Sequence, residues 1–126
     1  MNNNVDSVAR LFKALSFEKR LRILNYVICN PGKTVSEISI SLRLPFPTTS
    51  RSLTILADSG LIIGKRTNNY ITYKAHAGAT HVYNIFILSM VKRAYEMDTE
   101  ETTYKKKSAT GFLVGDYSVL RSYINL

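Results

Sequence analysis

A chain of 126 residues, 45% of them apolar, is long enough for one folded domain with an appended segment and too short for a second independent core. Lys and Arg number 17 against 9 Asp and Glu, and a net charge of +8 on so small a chain points to a polyanionic partner or an anionic surface. No apolar run reaches the ~20 residues of a membrane span and the polar start at residues 1–4 has no signal-peptide character, so a cytoplasmic protein is expected, and the single Cys29 excludes both an intrachain disulfide and a cysteine-rich zinc site.

In chain order, Val5, Val8, Leu11, Phe12 and Leu15 recur at intervals of three and four residues, which predicts a first helix over residues 5–16 with one buried face. A second helix is expected over residues 17–29, with Ser16 as its N-cap, Leu21, Leu24 and Val27 among its apolar positions, and Asn30, Pro31 and Gly32 stopping it. Thr34 followed three residues later by Glu37 is the pattern of a capping box and starts a short third helix over residues 35–42, with Val35, Ile38 and Leu42 inward. Pro47 suits the first turn of a fourth helix that runs to about Ser59, with Leu53 and Leu56 inward and Gly60 as the left-handed stop. Residues 61–65 and 70–74 are β-prone and flank the polar turn Arg66, Thr67, Asn68 and Asn69, which predicts a two-stranded hairpin. A longer helix over about 80–97 carries Val82, Phe86, Met90, Ala94 and Met97 as an apolar stripe.

A short helix, a tight turn, a second helix and a basic hairpin form the arrangement that sets one helix in the major groove of DNA and a wing against the flanking backbone. The fold expected is mainly α with a small β-hairpin, a winged helix-turn-helix with long terminal helices. Helix four is then the reader. Its N-terminal half offers Thr48, Thr49, Ser50, Arg51 and Ser52, small hydroxyls and one guanidinium that can approach base edges and phosphates. Lys65, Arg66, Asn68 and Asn69 give the wing a polar, basic tip suited to phosphates or a minor groove. Charge location agrees, because residues 1–78 hold 11 basic and 4 acidic side chains, and helix two adds its cations to those of the wing. A solvated, solubility-tuned surface is the competing account of that charge.

Three stretches, LFKALSFEKRLRILNYV, TVSEISISLRLPFPTTSRSLTILADSGLI and GKRTNNYITYKA, resemble the ArsR-type winged-helix repressors over residues 8–75. The resemblance implies a homodimer built through the first and last helices, with two reader helices facing successive major grooves of a near-palindromic operator. Val5, Val8, Phe86 and Met90 are the interface candidates, with packing inside one chain as the alternative for each. Many members of that family release DNA on binding metal through a cysteine pair in the third helix or an Asp and His set on the last. Residues 33–38 contain no cysteine, and His81 lacks the acidic and histidine neighbours of such a site, while its spacing from Glu96 is too long for one helix. Neither a metal nor another cofactor is expected. Cys29, apolar-flanked near a helix end, reads as packing rather than a redox switch.

No glycine-rich phosphate loop, paired catalytic carboxylates or nucleophile with a matching base stands at interpretable spacing, so an enzyme is not expected. The function read from the sequence is a dimeric, sequence-specific regulator of transcription on double-stranded DNA, acting as a repressor; the second reading is a winged-helix protein-interaction module, since fold alone does not fix function. Residues 1–98 are expected to hold DNA binding and dimerisation, and residues 99–126 a C-terminal extension with Lys105 to Lys107 and a short helix from about Tyr117.

Overall fold

The computed structural model describes residues 4–76 and 82–107. The order of elements is α1 (Asn4–Ala14), α2 (Glu18–Cys29), β1 (Lys33–Thr34), α3 (Val35–Leu42), α4 (Phe46–Asp58), β2 (Ile62–Thr67), β3 (Tyr70–Ala75) and α5 (Val82–Lys107). The chain divides into two compact units, Met1–Lys92 and Arg93–Leu126. Among the described residues no helix is long and apolar enough to cross a membrane.

In the first unit the core is an apolar seam. Ile23, Leu24 and Val27 of α2, Ile38 of α3 and Leu53 and Leu56 of α4 are sealed from solvent, and α2, α3 and α4 pack on one another. The three- and four-residue spacing of these side chains on each helix places them on single faces. Leu61, Ile62 and Tyr73 extend the core under the sheet, and Leu11, Ala14, Leu88 and Val91 supply the buried positions of α1 and α5.

Helix ends explain where the elements start and stop. Thr34 and Glu37 form the expected capping box: the Glu37 amide donates to Thr34 Oγ1 at 3.2 Å, and the Thr34 amide donates to Glu37 Oε1 at 3.1 Å. That amide, then the Thr34 hydroxyl and Lys33, hold the Glu37 carboxyl below the ordinary glutamate range. Ser16 does not cap α2. Phe17 occupies that N-cap without a side-chain bond, while the Ser16 hydroxyl donates back to the Lys13 carbonyl and helps close α1. The α1 C-terminus is finished by Arg20, whose guanidinium donates to the Ala14 carbonyl at 2.7 Å and the Lys13 carbonyl at 3.0 Å while lying 4.3 Å from the Phe17 ring centroid.

The sheet has three strands in the order β1-β3-β2, all antiparallel. β1 was not foreseen, since two residues carry no periodicity; they pair as Lys33 with Tyr73 and Thr34 with Thr72. β2 and β3 run in register from Ile62 opposite Ala75 to Thr67 opposite Tyr70. Arg66 and Thr67 therefore lie in the ladder, and the loop is only Asn68 and Asn69. Gly64 faces Tyr73, and a Cβ there would come within 3.1 Å of the Tyr73 ring, so the glycine leaves room for an aromatic ring across the strand.

α5 is longer than expected. It extends to Lys107, and its inward face is Asn84, Leu88 and Val91 at helical spacing, leaving Phe86, Met90, Ala94 and Met97 exposed. Asn84 is 1% exposed and its amide donates to the carbonyls of Gly60 at 2.6 Å and His76 at 3.1 Å. This one side chain ties α5 to the turn after α4 and to the end of β3. In the second unit, Arg93 pairs with Glu96 at 3.5 Å and Glu100 at 3.3 Å along the helix. His81 and the expected helix from Tyr117 lie outside the described residues.

Asn84→Leu leaves two carbonyls without their donor and should lower stability by about 2 kcal/mol, read as a fall in the urea midpoint at unchanged slope. Thr34→Ala should cost about 1 kcal/mol through the lost cap. The Thr34 backbone amide, the first cause that lowers the Glu37 pKa, is kept in Thr34→Ala, so of the bonds to that carboxylate only the hydroxyl's is lost; that bond stabilises the fold above the unfolded pKa and ceases to do so as pH falls through the folded one. Melting curves at descending pH should therefore show the gap between Thr34→Ala and wild type narrowing in acid.

Candidate nucleic-acid interface

α4 gives one face to the core and the opposite one to solvent. Arg51 and Thr54 are exposed, with Thr48 and Ser50 half-buried beside them. Thr49 and Ser52 depart from the sequence reading, because both are buried and turned toward the core. Thr49 is tolerated there because its hydroxyl donates to the Pro45 carbonyl one turn back, at 3.1 Å. A hydroxyl satisfied by its own helix needs no water, so a run of Thr and Ser does not by itself mark a surface. The reader face is therefore narrower than expected.

The wing places Lys65, Arg66, Asn68 and Asn69 in solvent together, with Lys74 on the paired strand. Asn68 takes the left-handed conformation, φ 51°, that a two-residue loop between antiparallel strands requires, and Asn tolerates it better than most residues. Among the described residues no carboxylate pairs with Arg51, Lys65, Arg66 or Lys74, so these charges are available to an outside anion. Burial pushes the Tyr73 phenol under the sheet above its ordinary range, so it stays neutral and adds no charge to this surface.

Helix two has fewer free donors than the sequence implied. Arg20 serves the α1 C-terminus, and Arg22 donates to the Leu42 carbonyl at 3.1 Å, closing α3 in the same way. Lys19 alone of these three is fully exposed. Arg43, unremarked in the sequence, sits at the α3 C-cap with φ 55° and sharpens the turn into α4.

Between the first turn of α4, the start of α3 and the wing lies an open groove of ≈ 330 Å³, lined among others by Ser36, Phe46, Arg66, Asn69 and Tyr70. Phe46 is the residue that sequence reasoning passed over. It is the first helical residue of α4 and 52% exposed, and only its place before Pro47 hinted at that. Of the interface candidates, Val5, Phe86 and Met90 are exposed and Val8 is half-buried, and Phe12 and Tyr83 are further exposed large side chains on α1 and α5. Cys29 is exposed rather than packed, its thiol 3.9 Å from Asn25 Oδ1. No three His, Cys, Asp or Glu side chains gather at metal-binding distance among the described residues.

A short helix, a sharp turn, a second helix with an exposed arginine on its outer face and a basic hairpin after it define a winged helix-turn-helix. The chain belongs to the ArsR family of bacterial regulatory proteins. The family model matches residues 18–63, which run from the start of α2 to the first two residues of β2. The HTH-type transcriptional regulator YgaV of Escherichia coli is 30% identical over 92 residues, covering 73% of this chain and 89% of that one. The crystal structure of a predicted DNA-binding transcriptional regulator from E. coli is similar at 31% identity and TM-score 0.58, over 72% of this chain and 92% of that one. A homodimeric winged helix-turn-helix DNA-binding domain from Mycobacterium bovis shares the fold at TM-score 0.61 and 24% identity, covering 77% and 85% of the two chains.

Because Asn68 is held at positive φ, Asn68→Gly should change stability by less than about 0.5 kcal/mol, whereas Asn68→Val should lower it by about 1–2 kcal/mol. Chemical denaturation of the two variants beside wild type separates a backbone effect from loss of the amide.

Proposed function

We propose that the protein is a sequence-specific repressor of transcription that binds double-stranded DNA as a homodimer on a near-palindromic operator. The observation that carries this reading is that Arg51 on α4 and Lys65, Arg66, Asn68 and Asn69 on the wing are all exposed, and that the cations among them have no described carboxylate partner. Membership of the family supports it. Arg51 is assigned to a base edge, where a guanidinium matches the paired acceptors of guanine, with Thr48 and Ser50 beside it on base edges or phosphates. The wing side chains are assigned to phosphates or the minor groove, which fixes orientation and affinity rather than sequence. Thr49 and Ser52 have no part in this contact.

Dimerisation is assigned to the exposed apolar side chains of α1 and α5, Val5, Phe86 and Met90 with Val8 at their margin. Apolar surface of this kind on terminal helices is stabilised by burial against a second copy, and two-fold symmetry of the protein then matches two-fold symmetry of the site. The similar domain from M. bovis is homodimeric. DNA binding and dimerisation fall to residues 1–98, and the place of action is the cytoplasm, with the chromosome.

The test is selection from a mixed pool of duplexes at two salt concentrations. Retention of a near-palindromic sequence, with affinity falling steeply as salt rises, is expected; a folded dimer that retains no duplex at low salt would end the DNA reading. On the selected site Arg51→Ala should weaken binding by about 1–3 kcal/mol and relax preference at one position per half-site. Lys65→Ala with Arg66→Ala should weaken all sequences alike and reduce the slope of log K against log salt by about 2 per protomer.

A further inference from the structure

The first turn of the reader helix carries a ring that the fold does not use. Phe46 is 52% exposed at the N-terminus of α4, whereas the inward positions of that helix are already filled by Thr49, Leu53 and Leu56. Nor does helix formation call for it, since Phe is a poorer helix former than Ala. A single exposed aromatic is ordinary on any protein surface. This one lines the groove between reader and wing together with Tyr70, itself 55% exposed, and the groove's margin is the Arg66 and Asn69 side chains assigned above to DNA. An aromatic surface bounded by a guanidinium and an amide matches a nucleotide, which presents an anionic phosphate beside a base.

Position selects the part of the nucleotide that meets the ring. When a helix-turn-helix docks, residues at the N-terminal end of the second helix are the ones that reach base edges in the major groove. The apolar group offered there is the C5-methyl of thymine, and Phe is among the side chains whose chemistry suits it. We propose that Phe46 reads one thymine in each operator half-site through that methyl group, as a specificity-determining residue that complements Arg51. Tyr70 and Arg66 bound the same nucleotide on its wing side. The inference rests on the DNA-binding reading above and adds to it a base and an atom.

Burying one methyl is worth about fourfold in affinity, and two symmetric half-sites about fifteenfold. The duplex retained by the full-length wild-type protein would be remade with each thymine replaced in turn by deoxyuridine, which deletes only the methyl. Binding of each duplex would be measured for wild type, Phe46→Ala and Phe46→Leu, with melting curves confirming that the variants fold. One symmetric pair of thymines is expected at which the replacement weakens wild type about fifteenfold, Phe46→Leu by less, and Phe46→Ala by under twofold. Should Phe46→Ala fail to fold, Phe46→Gln takes its place with the same expectation. If no thymine distinguishes wild type from the variant lacking the ring, the assignment is overturned. Failure of the DNA reading itself looks different, because wild type would then retain no duplex from which to begin.

Discussion

Everything the reader helix can do depends on the apolar seam that holds its other side. Ile23, Leu24 and Val27 of α2 and Ile38 of α3 bury Leu53 and Leu56 of α4 completely, so the rotation of α4 about its own axis is set by packing rather than by its polar residues. With 3.6 residues per turn, fixing Leu53 and Leu56 inward fixes Arg51 and Thr54 outward. A helix free to roll would present an average of its faces to DNA. Interior packing, with no base contact of its own, therefore decides which face of α4 is offered to solvent and, in the function proposed, to DNA.

Charge is sorted by the same architecture. The cations near the middle of the domain are consumed locally: Arg20 and Arg22 complete the C-termini of α1 and α3, and Lys33 lies 3.8 Å from Glu37 in the capping box. A guanidinium at a helix C-terminus satisfies orphan carbonyls and opposes the dipole, so those arginines act as structural fasteners. Among the cations left over, Arg51 stands on α4 and Lys65, Arg66 and Lys74 on the wing, while Arg10, Lys13 and Lys19 are exposed on α1 and α2. A net charge of +8 thus says less about the binding surface than do the few charges that find no partner within the fold.

Local patterns were legible in the sequence where local physics settles them. Thr34 and Glu37 announced α3 to the residue because a capping box is closed within one turn, and Asn68 marked the hairpin because the loop needs a positive φ. Non-local pairing was not legible. β1 exists only because Lys33 and Thr34 find Tyr73 and Thr72 some forty positions away, and Asn84 is buried only because the carbonyls of Gly60 and His76 converge on it. The site was half legible for a related reason. Arg51, Lys65 and Arg66 lie in solvent as charge demands, but hydroxyls can go either way, and Thr49 went inward once Pro45 offered an acceptor. The exposed Phe46 runs against the rule that aromatics are core, which is why only its placement reveals it.

The wing is held firmly at its base and left free at its tip, and the two ends serve different purposes. At the base, the Gly32 amide donates to the Tyr73 carbonyl at 2.8 Å, the His76 amide to the Leu61 carbonyl at 2.9 Å, and Asn84 joins the turn after α4 to the end of β3. Hydrogen bonds therefore tie the end of α4 to the wing base, which under the proposed function sets the spacing between a base contact and a phosphate contact before DNA arrives. Preorganisation of this kind lowers the entropy lost on binding. Beyond that base, the two-residue loop and the side chains of Lys65 and Arg66 remain in water, where long cationic chains can follow phosphates whose positions vary with sequence. The hydrogen bonds of the hairpin's surroundings are thus concentrated at its base, where the proposed function needs a fixed geometry, and leave the exposed tip, where it needs only charge, to solvent.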